Sequence, residues 1–302
     1  MNAHQRPMTT IQRLCLMALV CLPMVAAAQN KPKKPAPSAA PQAAAQTAPA
    51  KTTSTPAKKD TAMLPLFYKS VELFDSNKHA QLGVTPTQEQ FSFAAATNIV
   101  PVMINEITFA MTHYPLVFIM EEGATVPALV ALVGNGDGKN QFVSATGSWR
   151  AQTYIPAWVR RYPFILVNQS AESPNAALAF DPTSDLLSDK HPIKLLKDKQ
   201  ATDALNNVLA FQRNMASSME ATTAVVKALN EAQVLEAAGL TFNARDGKSE
   251  SKTVSGFMVV NETKLRALSG AALEKLNQAN ALGLAYAQLF SMKNLQNLTP
   301  PN

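Results

Sequence analysis

The chain has 302 residues, of which 47% are hydrophobic and only 16% charged, with a net charge of +6. Both of its cysteines, Cys15 and Cys21, lie near the front, so the rest of the chain has no disulfide, no thiolate metal site and no cysteine nucleophile. The first sixty residues carry eight bases and one acid, Asp60, which is +7 and leaves −1 for everything after them. The basic character therefore belongs to a tail suited to anionic lipid or wall polymer, and it speaks against a nucleic-acid-binding domain.

Residues 1–28 read as an export signal. Arg6 and Arg13 supply the charged part, Leu14 to Ala28 the apolar run, and Ala26, Ala27 and Ala28 a small-residue cleavage site before Gln29. That run falls short of the roughly 20 apolar residues that span a bilayer. Arg6 and Arg13 are not adjacent, which argues against twin-arginine export, and Val20 before Cys21 is a poor lipidation site. The expected location is the periplasm or cell envelope. Residues 29–61 are almost wholly Ala, Pro, Lys, Gln, Ser and Thr, too poor in apolar groups to offset the entropy of ordering, and are expected to be a disordered linker. A cationic linker of this kind can contact anionic lipid or the cell wall.

Residues 62–302 are expected to form one globular domain of class α+β, with a β-rich first half holding a mixed sheet and a helical second half. Leu66 to Phe74 and Phe91 to Ala95 read as strands, and Pro101 suits the start of a helix carrying Ile104, Ile107 and Met111. Leu116 to Met120 and Ala128 to Val133 are apolar runs of buried-strand length, joined by a turn at Glu121, Glu122 and Gly123. Gln141 to Val143, Phe164 to Val167 and Ala177 to Phe180 continue the sheet. From Thr202, Leu205, Leu209, Met215, Val226 and Leu229 keep helical spacing, predicting one long bent helix or two, with Gly239 ending the segment. A loop over Asn243 to Lys248 precedes a strand Gly256 to Val260. Asn261 caps a short helix to Leu268, and Ala271 to Met292 is the last long one.

The organising stretch is Trp149 to Leu166, WRAQTYIPAWVRRYPFIL, which holds both tryptophans, two of the five tyrosines and three arginines. Pro156 and Pro163 bracket a short helix from Pro156 to Arg161. Tyr154, Trp158 and Tyr162, four residues apart, would stack along one side of a helix. Arg150, Arg160 and Arg161 beside these rings suit cation–π packing, a locked aromatic corner, or a peptide or carboxylate ligand. Trp149, Tyr154, Trp158, Arg160, Arg161 and Tyr162 are thus the candidate binding residues.

Other motifs point to little chemistry. Gly134 to Lys139 fails the phosphate-loop, dinucleotide and calcium-loop spacings and reads as a tight connection between strands. Glu106 and His113, seven apart, would lie two helical turns from each other, and a metal or general-base role needs a third group such as His79. No catalytic residue, cofactor or metal is assigned. Glu106, His113 and His79 are only weak metal candidates.

The series Tyr114-Pro115, Phe118, Gly134, Asn140, Phe142, Gly147, Trp149, Tyr154, Pro156, Arg160-Arg161-Tyr162-Pro163-Phe164, Gly256-Phe257, Leu284, Tyr286, Gln288, Ser291 and Asn294 resembles the SapC family over roughly Pro65 to Leu298. The Arg-Arg-Tyr-Pro-Phe block is its most specific piece. That family is named for a protein tied to surface-layer protein secretion. The resemblance implies a role in export or handling of surface proteins; the expected function is a non-enzymatic envelope protein that binds an exported protein or peptide in that export or assembly, and the alternative is a peptide- or glycan-modifying periplasmic enzyme. Intact-mass measurement on protein from the cell envelope is expected to give a chain beginning at Gln29, and a mass that still includes Met1 would contradict the cleavage.

Overall fold

A computed structural model describes residues 64–85, 89–168, 176–242 and 252–298. The signal expected at 1–28, the linker expected at 29–61 and the loop expected at Asn243 to Lys248 lie outside the described residues. Two short strands, β1 (Glu72–Leu73) and β2 (Gly83–Val84), precede a 3-10 turn at Ser92–Ala94 and β3 (Ile99–Pro101). A second 3-10 turn (Ile104–Glu106) runs into helix α1 (Ile107–Ala110), followed by β4 (Leu116–Ile119) and β5 (Ala128–Leu132). Helix α2 (Ala157–Arg160) leads to β6 (Phe164–Asn168) and β7 (Ala176–Phe180), then to four two-residue strands, β8 (Leu187–Ser188), β9 (Ile193–Lys194), β10 (Leu196–Lys197) and β11 (Gln200–Ala201). The second half holds the long helix α3 (Asp203–Glu231), the strands β12 (Leu235–Phe242) and β13 (Lys252–Val260), and helices α4 (Glu262–Arg266), α5 (Gly270–Gln278) and α6 (Ala281–Ser291).

The central sheet has five strands in the order β12-β13-β4-β5-β3, and smaller sheets run β1-β7-β6 and β8-β2-β9. This is an α+β fold, β-rich first and largely helical after. The ladders between described strands are antiparallel rather than mixed, because β4-β5, β6-β7 and β12-β13 each pair consecutive strands without a crossover helix. All four residues of β4 are buried, as a continuous apolar run predicts for a strand covered on both faces.

Several elements depart from the sequence reading, each for a local reason. Phe91 to Ala95 is a turn, not a strand: Ala94 N–H bonds back to the Phe91 carbonyl, and the Phe91 ring packs edge-on against Trp149 at 5.6 Å. Of Leu66 to Phe74 only Glu72–Leu73 pairs, with β7. Gln141 to Val143 contributes a single bridge, Val143 to Trp149. The β6-β7 hairpin joins β1 in its own sheet and does not extend the central one. Helix α3 is one unbroken helix, capped by Thr202 with Asp203 in its first turn. It ends at Ala232, where Gln233 takes a left-handed φ of 56°, and Gly239 instead marks a bulge in β12. The last helix is broken between α5 and α6 by Asn280 at φ 57°. Among the described residues no helix is long and apolar enough to cross a membrane.

The C-terminal helix is stitched into the sheet by polar side chains every third residue. Gln288 Nε2 donates to the Leu116 carbonyl at 3.0 Å, and its Oε1 accepts from Val260 N–H at 2.9 Å. Ser291 Oγ accepts from Leu116 N–H, Asn294 donates to the Met111 and Tyr114 carbonyls, and Asn297 donates to the His113 carbonyl. The segment from Met111 to Leu116 leaves α1 before β4 begins pairing, so its backbone groups would otherwise be buried unpaired. Gln288→Leu strips partners from two buried backbone groups and is expected to cost about 2–5 kcal/mol by equilibrium urea unfolding. A loss below about 0.5 kcal/mol would show that the stitching is not needed.

Candidate functional site

Helix α2 is short, begins at Pro156 and has no side-chain cap of its own. Its first N–H groups therefore need an acceptor from elsewhere. Glu106, buried at the end of the second 3-10 turn, supplies it: Oε2 accepts from Ala157 N–H at 2.8 Å and from the Tyr154 hydroxyl at 2.7 Å, while Oε1 accepts from Met103 N–H at 2.9 Å. One carboxylate thus pins the aromatic stretch to the core.

The six candidate residues separate into an interior and a surface group. Trp149 is buried, stacks on Phe142 and donates its indole N–H to the Tyr114 hydroxyl at 3.2 Å; that hydroxyl donates in turn to the Tyr154 carbonyl. Tyr162 is buried, stacked on Phe93 at 4.1 Å and edge-on to Tyr68. Trp158 and Arg161 are buried together, with the guanidinium over the indole. These four lie in the interior, because α2 turns its apolar side, Ala157 to Val159, into the core, and Trp158 borders a small cleft beside Val226. Nor do Tyr154, Trp158 and Tyr162 form a stack, since Tyr154 precedes the helix and Tyr162 follows it.

Tyr154 and Arg160 reach the surface, and the fold adds two rings to them. Phe109, 60% exposed on α1, stacks on Tyr154 at 5.5 Å with the ring planes 20° apart. Arg160 donates to the Ile155 carbonyl and the Tyr154 hydroxyl, both at 3.0 Å. Its Cζ lies 5.6 Å from the Tyr154 centroid and 5.4 Å from that of Phe211 on α3. The result is a surface row of Phe109, Tyr154, Arg160 and Phe211. Burial foremost, and then the neighbouring Glu106 carboxylate, push the Tyr154 hydroxyl up to about 12, so it stays a neutral donor. Phe109 and Phe211 were not singled out from sequence.

Arg150, the third arginine of the stretch, is half-buried over Phe142 at 4.3 Å and donates to the Gln141 and Asn297 carbonyls. It acts as a clamp between the loop and the C-terminal segment. The loop at Gly134 is likewise structural. Asn98 Oδ1 accepts from Gly136 and Gly138 N–H, both at 3.2 Å, and a Cβ on Gly134 would collide with Asn98 and the Lys139 carbonyl, so the donors a phosphate would need are engaged.

The weak metal candidates do not meet. Among the described residues no three His, Cys, Asp or Glu side chains are placed to hold an ion. Glu106 is occupied as above; His113 contacts the Gln152 carbonyl through Nε2 and the Phe109 carbonyl through Nδ1; His79 accepts from Asp75 N–H and faces Glu72.

A family model described as SapC matches residues 74–298. The chain belongs to the SapC family. The SapC match contains α1, the aromatic stretch, α3 and the C-terminal stitching, and so every residue of the surface row. No curated protein and no solved structure matches the chain.

Glu106→Ala leaves three donors without an acceptor and is expected to lower stability by about 3–5 kcal/mol, with Glu106→Gln intermediate because an amide oxygen can still accept. If both variants kept wild-type urea midpoints, the carboxylate would be free for chemistry and its structural role would fall.

Proposed function

We propose that this protein is a non-enzymatic binding protein of the cell envelope that holds a peptide segment of an exported protein during export or assembly of surface proteins. The observation that carries the reading is Phe109, a large ring exposed on a rigid helix and stacked on Tyr154, which is itself bonded to Arg160. Exposed aromatic rings with an adjacent guanidinium are the residue types that dominate binding hot spots. They offer apolar area with little conformational entropy to lose, and a cation that can hold a carboxylate or a peptide carbonyl. Glu106 supports the row from below, which keeps Tyr154 in place before any partner arrives.

The family resemblance supports the surface-protein context, and the export signal read at 1–28 supports the envelope. The alternative, a peptide- or glycan-modifying enzyme built on Glu106, His113 and His79, would need those groups released from the partners described above.

A photo-crosslinking residue at position 109 in intact cells is expected to capture exported proteins that the same residue at exposed Phe290, on another helix, does not. With the probe at 109, Arg160→Ala should weaken capture by about tenfold or more while melting within a few degrees of wild type. Identical capture from positions 109 and 290 would sink the proposal.

A further inference from the structure

The five-stranded sheet ends on β12, and among the described residues no strand pairs with its outer side. Which of its backbone groups face outward follows from its partner. Asn261 N–H donates to the Val234 carbonyl at 2.8 Å, and Val260 N–H, opposite Leu235, turns away to Gln288 Oε1. Val234 and Asn261 are thus a bonded pair of the ladder, Leu235 and Val260 an unbonded one, and the alternation continues along the strand. The N–H and C=O groups of Leu235 and Ala237 therefore point away from β13, while those of Glu236 and Ala238 bond to it.

Natural sheets blunt such an edge with lysine, proline or short length. β12 has eight residues, neither lysine nor proline, and one charge, Glu236, whose Oε2 already accepts from Asn261 Nδ2. The register shift in its ladder comes only at Ala238 and Gly239, beyond the two outward residues. Ala237, Ala238 and Gly239 fill its middle, so no large side chain there stands in the way of an approaching backbone. At its first residue lies an open depression of ≈ 610 Å³, with Ala232, Leu235, Ala267 and Leu268 as apolar lining and Lys264 as its cation. Among the described residues Lys264 is in no ion pair.

We infer that β12 takes an extended peptide segment of another protein as a sixth strand, bonded to Leu235 and Ala237, with an apolar side chain in the depression and an acidic group at Lys264. Charge decides against a second copy of this chain. Only residues whose groups face outward can bond across the new seam. Two antiparallel copies of β12 that use both Leu235 and Ala237 must set Leu235 of one against Ala237 of the other, which brings the two Glu236 side chains directly opposite each other. A foreign strand avoids that repulsion, and Lys264 offers it an opposite charge. The site uses other elements than the row at Phe109 and stands whether or not that row binds a partner.

The test uses the full-length chain. In the free protein, amide hydrogen exchange followed by NMR should find Leu235 and Ala237 at least about tenfold less protected than Glu236 and Ala238. A random peptide library selected against the chain supplies the probe, a synthetic peptide of the strongest sequence, which should carry an acidic group. Adding it is expected to slow exchange at Leu235 and Ala237 by about tenfold or more. Ala237→Pro removes an outward N–H and no bond to β13, a position where an edge strand tolerates proline. That variant should melt within a few degrees of wild type and lose at least about tenfold in peptide affinity. If it does not fold, N-methylation of the peptide decides: methyl groups on one set of alternate residues should abolish binding, and on the other set spare it. Leu235 and Ala237 already protected in the dilute free chain would show the edge covered by the chain itself, and protection appearing only on concentrating the protein would assign a second copy; either overturns the inference. So would a library that yields no binder, selected peptides free of acidic groups, or binding indifferent to both the proline and the methyl groups.

Discussion

A helix that starts on proline cannot cap itself, and the architecture around the aromatic stretch follows from how that deficit is met. Glu106 reaches Ala157 and Tyr154 from a segment about fifty residues earlier, and the same carboxylate closes its own turn at Met103. Because an ionised carboxyl is an acceptor only, it can satisfy several donors without needing a donor site of its own. The cost of placing it there is offset only while all three remain bonded. The start of helix α2 and Tyr154 of the surface row are therefore held by one group.

The three arginines show why residue type alone did not assign roles. They fall within twelve consecutive positions but meet different surroundings. Arg150 spends its donors on two carbonyls and covers Phe142, so it fastens chain to chain. Arg160 lies at the surface and divides its donors between the Ile155 carbonyl and the Tyr154 hydroxyl. Among the described residues the Arg161 guanidinium meets ring faces, those of Trp158 and Tyr68, and burial lowers its tendency to stay protonated below that of a solvated guanidinium. Sequence shows an Arg-Arg pair; which one faces outward depends on the short helix between them and the core.

What could be read in advance was what local chemistry dictates. The strands β4 and β5 were legible as unbroken apolar runs, α2 from its bracketing prolines, and the start of α3 from Thr202 and Asp203. The row at Phe109 was not, because its members come from α1, the loop before α2, and α3, and meet only through tertiary packing. Glu106 drew notice as possible chemistry because it stands seven residues before His113; its partners, forty-eight and fifty-one residues away, could not be seen from spacing. Gly239 misled for the opposite reason, since a glycine can end a helix or relax a strand into a bulge. The choice was made by pairing with β13.

The stitching by Gln288 has a consequence for how the chain reaches this state. β13 meets β4 through one register pair, Met258 with Phe118, and Gln288 spans that same seam by bonding Leu116 on one side and Val260 on the other. The two halves of the central sheet are thus joined by a residue 172 positions along the chain from Leu116. Such contacts between distant parts of a chain close slowly. The seam is therefore complete only with α6 docked, so loosening that helix would open the sheet between β4 and β13.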